Sequence, residues 1–169
     1  FKDRLASLVE AEGREIKASG KKLVNRSPSG GPNKKDREWV EHYGPIYLER
    51  YFNWTKENGL NLAEVNGLPA VEVPFHFEVT NTEGEVITLL GSIDRVYSRW
   101  GRKGLVVVDL KMGEVPVGTL QLATYAVALQ VQYGLEASQG LFWAPHLGAT
   151  GTGKNRVESP TGGTSEPVD

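Results

Sequence analysis

The chain contains no cysteine, which excludes disulfides, an iron–sulfur cluster and a thiolate zinc site within these residues. Any metal held here must rest on oxygen or imidazole ligands. No apolar run approaches the roughly 20 residues needed to cross a bilayer, and the opening Phe1-Lys2-Asp3-Arg4 has no signal-peptide pattern. A soluble, intracellular protein with no membrane partner is therefore expected. Excess positive charge is missing too. With 19 Lys and Arg against 21 Asp and Glu, the formal net charge is −2, which argues against a protein that coats nucleic acid by charge alone.

What is present is enough for one real core. At 169 residues and 39% hydrophobic content, the chain is too short for two comfortable domains. Charge is unevenly spread: Arg14, Lys17, Lys21, Lys22, Arg26, Lys34, Lys35 and Arg37 stand against only Glu15 and Asp36, and the following fifty or so residues are predominantly acidic. Such a basic stretch reads either as a side that faces a polyanion or as a solvated charged loop.

Apolar positions Leu5, Leu8, Val9 and Ile16 recur at helical spacing. Residues Ser19 to Asn33 then collect Gly20, Pro28, Gly30, Gly31 and Pro32, a composition that breaks regular structure and predicts a basic loop. A second helix is expected from about Asp36 to Asn58, kinked at Gly44-Pro45, with Trp39, Tyr43, Tyr47, Phe52 and Trp54 as a core-facing stripe. Alternation over Ala70 to Thr80 and a second run over Val86 to Tyr97 predict a hairpin. The near-continuous apolar run Leu105 to Leu110 reads as a central strand buried on both faces. Helical period returns over Val117 to Tyr133, with Leu122, Tyr125, Ala126 and Leu129 inward and Gly134 as the cap; Gln139 to Ala144 is a further strand. From Gly148 the chain is rich in Gly, Thr, Ser and Pro, so residues 148–169 are expected to form a flexible tail behind one domain over 1–147.

Chemistry concentrates on two neighbouring strands. Gly91-Ser92-Ile93-Asp94 brings one carboxylate near a strand end, and Asp109-Leu110-Lys111 brings another carboxylate and an ammonium to the end of the next. Side chains two apart on a strand share a face, so Asp109 and Lys111 project together while Leu110 turns into the core. Two hard oxygen ligands with a backbone carbonyl and waters suit Mg²⁺ or Mn²⁺. Taken alone, an Asp-x-Lys pair on a strand reads more readily as a surface ion pair of small energetic weight. Its place at the close of a hydrophobic strand, beside a second aspartate, favours a site.

Gly-x-x-Asp at Gly91 to Asp94, Asp-x-Lys at Asp109 to Lys111 and Gln-x-x-x-Tyr at Gln121 to Tyr125, in that order and spacing, resemble the RecB-like branch of the PD-(D/E)XK nuclease superfamily. The similarity runs from about Val71 to Ala144 and is especially to short phage-encoded exonucleases related to the four-cysteine CRISPR-associated ones; the absence of cysteine separates this chain from the iron–sulfur relatives. The resemblance implies a restriction-endonuclease-like α/β core, a central mixed sheet flanked by helices in the order α-β-β-β-α-β. It implies that Asp94, Asp109 and Lys111 are catalytic and that Asp94, Asp109 and the carbonyl of Leu110 bind Mg²⁺ or Mn²⁺. It also places Gln121 and Tyr125 on the DNA side of the following helix, where positions i and i+4 share a face. Glu72 resembles a glutamate that supports the metal in this family and reads equally as an exposed strand residue. Arg95 either contacts phosphate or pairs with a carboxylate.

The implied activity is a DNA exonuclease of recombination, repair or phage DNA processing. DNA with free ends and recombination or replication proteins would be its partners, in the cytoplasm of a bacterium or a phage-infected host. The alternatives are a silent nuclease-fold subunit that binds DNA or a partner, and a structure-specific endonuclease.

One departure stands out. The family's upstream metal-binding histidine, in a Gly-x-x-x-His pattern, has no match before Phe75; His42 lies in a helix without that pattern, His76 is expected to pack or face solvent, and His146 sits in a loop. The expectation is that a histidine-bearing helix precedes Phe1. Gly148 to Lys154 imitates a phosphate-binding loop, but Asn155 replaces the required Ser or Thr and no helix is predicted to follow. Asn25-Arg26-Ser27 and Asn53-Trp54-Thr55 fit glycosylation acceptors, which carry no meaning in an intracellular protein.

Overall fold

The computed structural model describes residues 37–147 and 159–165, with side chains from Val40 onward. The expected helix from Leu5, the basic loop and the imitation phosphate loop lie outside the described residues. The chain divides into two compact units, Phe1–Glu49 and Arg50–Asp169. Helix α1, Arg37–Glu57, runs across that division and is unbroken through Pro45. Among the described residues no helix is long and apolar enough to cross a membrane.

In the second unit a short strand β1 (Leu60–Leu62) and a two-stranded ribbon, β2 (Glu64–Val65) and β3 (Leu68–Pro69), precede the long hairpin of β4 (Val71–Thr80) and β5 (Val86–Arg99). Strand β6 (Leu105–Leu110), helix α2 (Leu120–Tyr133), β7 (Ala137–Ala144) and β8 (Gly163–Ser165) follow. The main sheet runs β1-β5-β6-β7-β8, with β4 also pairing with β5. Strands β5 and β6 are antiparallel whereas β6 and β7 are parallel; the sheet is mixed and β6 is central, as the apolar run requires. Val106, Val107 and Val108 are at most 2% exposed, so both faces of β6 are covered.

Parity sorts the two cores. Val107 joins Val73, Phe75, Phe77, Ile93 and Phe142 under Leu122, Tyr125, Ala128 and Leu129 of α2. Val106 and Val108 face the other way, with Trp54, Leu60, Tyr97, Leu141 and Trp143, and Leu110 packs beside them. Trp54 and Tyr51 stack and both contact the Trp143 ring. The aromatic stripe is thus narrower than expected. Phe52 is 62% exposed, because it sits about 200° round the helix from Trp54 at 100° per residue, and Tyr43 is also exposed.

Helix α2 is fixed in three ways. Gly134 adopts a left-handed conformation, φ 65°, and its N–H donates to Gln130 O while Leu135 N–H donates to Leu129 O, closing the helix. Strand β4 lies at the sheet edge, which tolerates Pro74; there the Tyr133 hydroxyl donates to Pro74 O and His76 N–H donates to Gln132 Oε1 at 2.8 Å. Beneath the helix, a Cβ on Gly140 would lie 2.9 Å from Leu122 Cβ, so glycine permits the close approach of helix to strand.

The element order differs from α-β-β-β-α-β by the short strands. β1 to β3 occupy residues 60–69, where the polar spacing conceals pairings of two and three residues. At the other end, Gly163–Ser165 of the expected tail pairs antiparallel with β7, and Trp143 Nε1 donates to Thr161 O at 3.2 Å. Backbone hydrogen bonds recruit that strand with little apolar burial, so composition conceals it; residues 148–158 and 166–169 lie outside the described residues.

Candidate active site

The site lies where β5 and β6 separate at the carboxyl end of β6, the position at which open α/β sheets gather ligands. The β5–β6 ladder ends at Arg95 opposite Val108. Beyond it a side chain replaces the ladder: Leu110 N–H donates to Asp94 Oδ2 at 2.8 Å, so Asp94 bridges the opening. On the other side the ladder with β7 persists, Lys111 N–H donating to Trp143 O at 2.8 Å.

Asp109 is the only polar or charged residue among the described residues that is buried, at 2% exposure. Burying a carboxylate demands partners, and three converge. Lys111 Nζ lies 2.6 Å from Asp109 Oδ2. Gln121 Nε2 donates to Oδ1 at 2.7 Å and the Tyr125 hydroxyl donates to the same oxygen at 3.1 Å. Gln121 completes the circuit, its Oε1 accepting from Lys111 Nζ at 3.1 Å and its Nε2 donating to the Tyr125 oxygen at 2.8 Å. The Lys111 ammonium also sits 5.6 Å from the centre of the Phe142 ring. Although Lys111 is close, no donor is aligned on Oδ2 of Asp109 as a hydrogen bond requires. The ion pair depends on distance and stands, so Oδ2 is a buried charged oxygen compensated by Lys111 without an aligned donor.

Burial is the main cause that raises the Asp94 carboxyl above the ordinary carboxylate range; the Leu110 N–H opposes it, and the charges of Asp109 and Glu72 add to the rise. Tyr125 is pushed up to about 12, chiefly by burial. It keeps its proton at neutral pH and can only donate to Asp109.

The sequence-derived residues fall into two groups. Asp94, Asp109, Leu110, Lys111, Gln121 and Tyr125 come together. Tyr125 is 6% exposed and its hydroxyl donates to Asp109, so it braces the carboxylate. Glu72 is directed elsewhere: it accepts from Ser92 Oγ at 3.1 Å and lies 3.7 Å from Arg95 Nη1. Among the described residues no cluster of three His, Asp or Glu forms. Of the two readings of Arg95, the carboxylate pair is the one seen, and Nη1 also donates to Asp94 O at 2.5 Å. Glu72 has φ 50°, a left-handed conformation uncommon for a residue with a side chain. His42 and His76 are exposed.

Sequence reasoning missed the supports. Gly91 faces Phe75 across the hairpin, and a Cβ there would lie 2.8 Å from the Phe75 ring; packing accounts for the glycine of Gly-x-x-Asp. Ser92, which holds Glu72, and Gly140, which lets α2 approach, carry no signal before the strand register is known.

A curled mixed sheet with a parallel β6-α2-β7 unit, and an Asp/Asp-x-Lys centre at the end of its middle strand, define a restriction-endonuclease-like fold. The sequence matches the PD-(D/E)XK nuclease superfamily across residues 3–163, and the chain belongs to that superfamily, whose nucleases typically use divalent metals. It is also similar to the Gene 69 protein of Mycobacterium phage D29, 33% identical over 110 residues, which is 63% of this chain. The match spans 38% of that relative's length.

The donor set fits a hard divalent cation. Asp94 bonds the Leu110 N–H, Asp109 precedes Leu110 in the chain, and Asp109 Oδ2 is a buried charged oxygen without an aligned donor, a set of hard oxygens of the kind such a cation takes.

Proposed function

We propose that this chain is the nuclease core of a metal-dependent DNA exonuclease of the RecB-like branch, acting on free DNA ends in phage DNA processing, recombination or repair. The observation that carries the reading is the buried Asp109 carboxylate, held by Lys111, Gln121 and Tyr125 beside Asp94. Its likeness to a phage protein supports the phage setting.

In this reading Asp94, Asp109 and the Leu110 carbonyl would hold Mg²⁺ or Mn²⁺, which supplies Lewis acidity and a water of lowered pKa when bound. Lys111, a donor with no acceptor capacity, orients the attacking water and offsets charge that grows on the phosphate. Gln121 keeps Lys111 and Asp109 in register by bonding to both. Tyr125, protonated throughout the neutral range, holds Asp109 without competing for the proton. Glu72 bears on the centre through its pair with Arg95, whose Nη1 also bonds Asp94 O, and through its charge beside Asp94.

Incubating the chain with end-labelled linear and closed circular DNA in Mg²⁺ or Mn²⁺ tests the reading. Progressive loss of label from linear DNA, circles left intact, and abolition in Asp109→Ala are expected. Cutting of circles would make it an endonuclease. Unchanged cutting by Asp109→Ala would remove the site assignment.

A further inference from the structure

Beside the candidate centre lies a groove of about 590 Å³ lined by Phe75, Leu90, Pro116, Leu120, Gln121 and Tyr125, with Ser92 and Thr124 at its margin. Its volume is that of a small-molecule site. Three properties identify an occupant.

First, the groove is continuous with the charged centre. Gln121 and Tyr125 line it while also bonding Asp109 at 2.7 and 3.1 Å. A phosphate drawn to Lys111 therefore leaves its own nucleoside at the mouth of the groove. Second, no charged side chain lines it, so a phosphate is disfavoured there and a neutral, flat group with a hydrogen-bonding edge fits: the Ser92 and Thr124 hydroxyls, which donate elsewhere and can still accept, edge an otherwise apolar wall. Third, large apolar side chains are held out of the core around it. Leu90 is 75% exposed and Leu120 81%. Leucine and proline are the kinds of side chain that insert between bases and part them. Gly91 keeps the wall open, since a side chain there would meet the Phe75 ring.

We propose that this groove receives the unpaired nucleobase of the nucleotide next to the scissile phosphate, with Leu90 and Leu120 as its specificity-determining contacts. Single-stranded or frayed DNA is then the preferred substrate over intact duplex, because a paired base presents neither a free face nor a free edge. The proposal rests on the nuclease reading above and adds the strandedness of the substrate to it.

The test measures binding and cleavage separately on three probes: a labelled single strand, its blunt duplex, and the same strand carrying a run of abasic residues. Binding is followed by fluorescence anisotropy in Ca²⁺, and cleavage by gel in Mn²⁺. The single strand is expected to bind about tenfold more tightly than the abasic strand, in line with the worth of stacking one base, and to be cut faster than the duplex. Leu120→Asn, at a position too exposed to threaten folding, should weaken the normal strand severalfold and leave the abasic strand unaltered. Equal binding of normal and abasic strands, or equal weakening of both by Leu120→Asn, overturns the groove assignment even where all strands are cut. Base-dependent binding with no cleavage of any probe keeps the groove and overturns the nuclease reading instead; loss of both binding and cleavage overturns the two together.

Discussion

Replacing Lys111 by methionine keeps the length of the side chain and removes the charge that sits 2.6 Å from Asp109 Oδ2. At an effective dielectric of about 20 the gross attraction at that distance is about 6 kcal/mol. Removing one partner of a buried pair typically costs about 3–5 kcal/mol, because the remaining charge is left uncompensated. Two features here reduce that figure. The Lys111 side chain is 23% exposed, so part of its charge is already screened, and Asp109 keeps its bonds from Gln121 and Tyr125. A loss of about 2–3 kcal/mol is expected for the metal-free chain. Urea unfolding followed by tryptophan emission reads this directly, since Trp54 and Trp143 are buried; the midpoint should fall with the slope unchanged. Adding Asp109→Asn to the variant should recover most of the loss, a coupling that a double-mutant cycle isolates. Mn²⁺ should stabilise Lys111→Met more than wild type, because it supplies the missing countercharge. An unfolding free energy within about 0.5 kcal/mol of wild type would refute the reasoning and return Asp-x-Lys to the rank of a surface ion pair.

Asp94→Asn tests the raised Asp94 carboxyl. A carboxyl raised in the folded state contributes stability that is complete below the ordinary range, near pH 4, and lost as pH rises through the raised value. The metal-free variant should therefore be at least as stable as wild type at pH 7 in thermal melts, with the difference closing toward pH 4, while cleavage is abolished; a less stable variant at pH 7 would mean that the Leu110 hydrogen bond outweighs burial. Gly140→Ala should cost about 1–3 kcal/mol by overpacking against Leu122 and lower cleavage by displacing Gln121 and Tyr125, whereas unchanged melting and activity would show that α2 has room to move. Tyr125→Phe should weaken cleavage by about 1–2 kcal/mol of barrier, uniformly between about pH 6 and 9 because the hydroxyl titrates only at about 12; a loss confined to the alkaline side would make the hydroxyl a base.

Much of this arrangement was legible because the strongest signals are local. Four apolar residues running into Asp-Leu-Lys specify a strand covered on both faces, and a period of two then fixes which side chains leave it together. The helix over Leu120–Tyr133 and its glycine stop follow from spacing and from the need for a left-handed residue at its end. Pairings two or three residues long at 60–69 and 163–165 were not legible, since they depend on which edge is left open by other strands. Whether Phe52 or Tyr51 turns inward is decided by the phase of α1 against Trp143, and composition carries no such phase.

The division at Asp94 and Glu72 follows from the same distinction. Both were read as strand carboxylates near the centre, and register puts them at the same level, Val71 opposite Arg95 and Val73 opposite Ile93. They part because the β5–β6 ladder stops at Arg95, leaving Leu110 N–H without a strand partner. An unpaired backbone donor at a buried strand end is costly, and the carboxylate within reach is Asp94. Glu72, on the far side of β5 with its backbone turned to φ 50°, reaches Ser92 and Arg95 along the hairpin instead. The site thus arises from a fault in sheet pairing. Strands that stayed zipped through residue 94 would satisfy Leu110 with backbone and would leave the Asp94 carboxylate without the donor that now holds it beside β6.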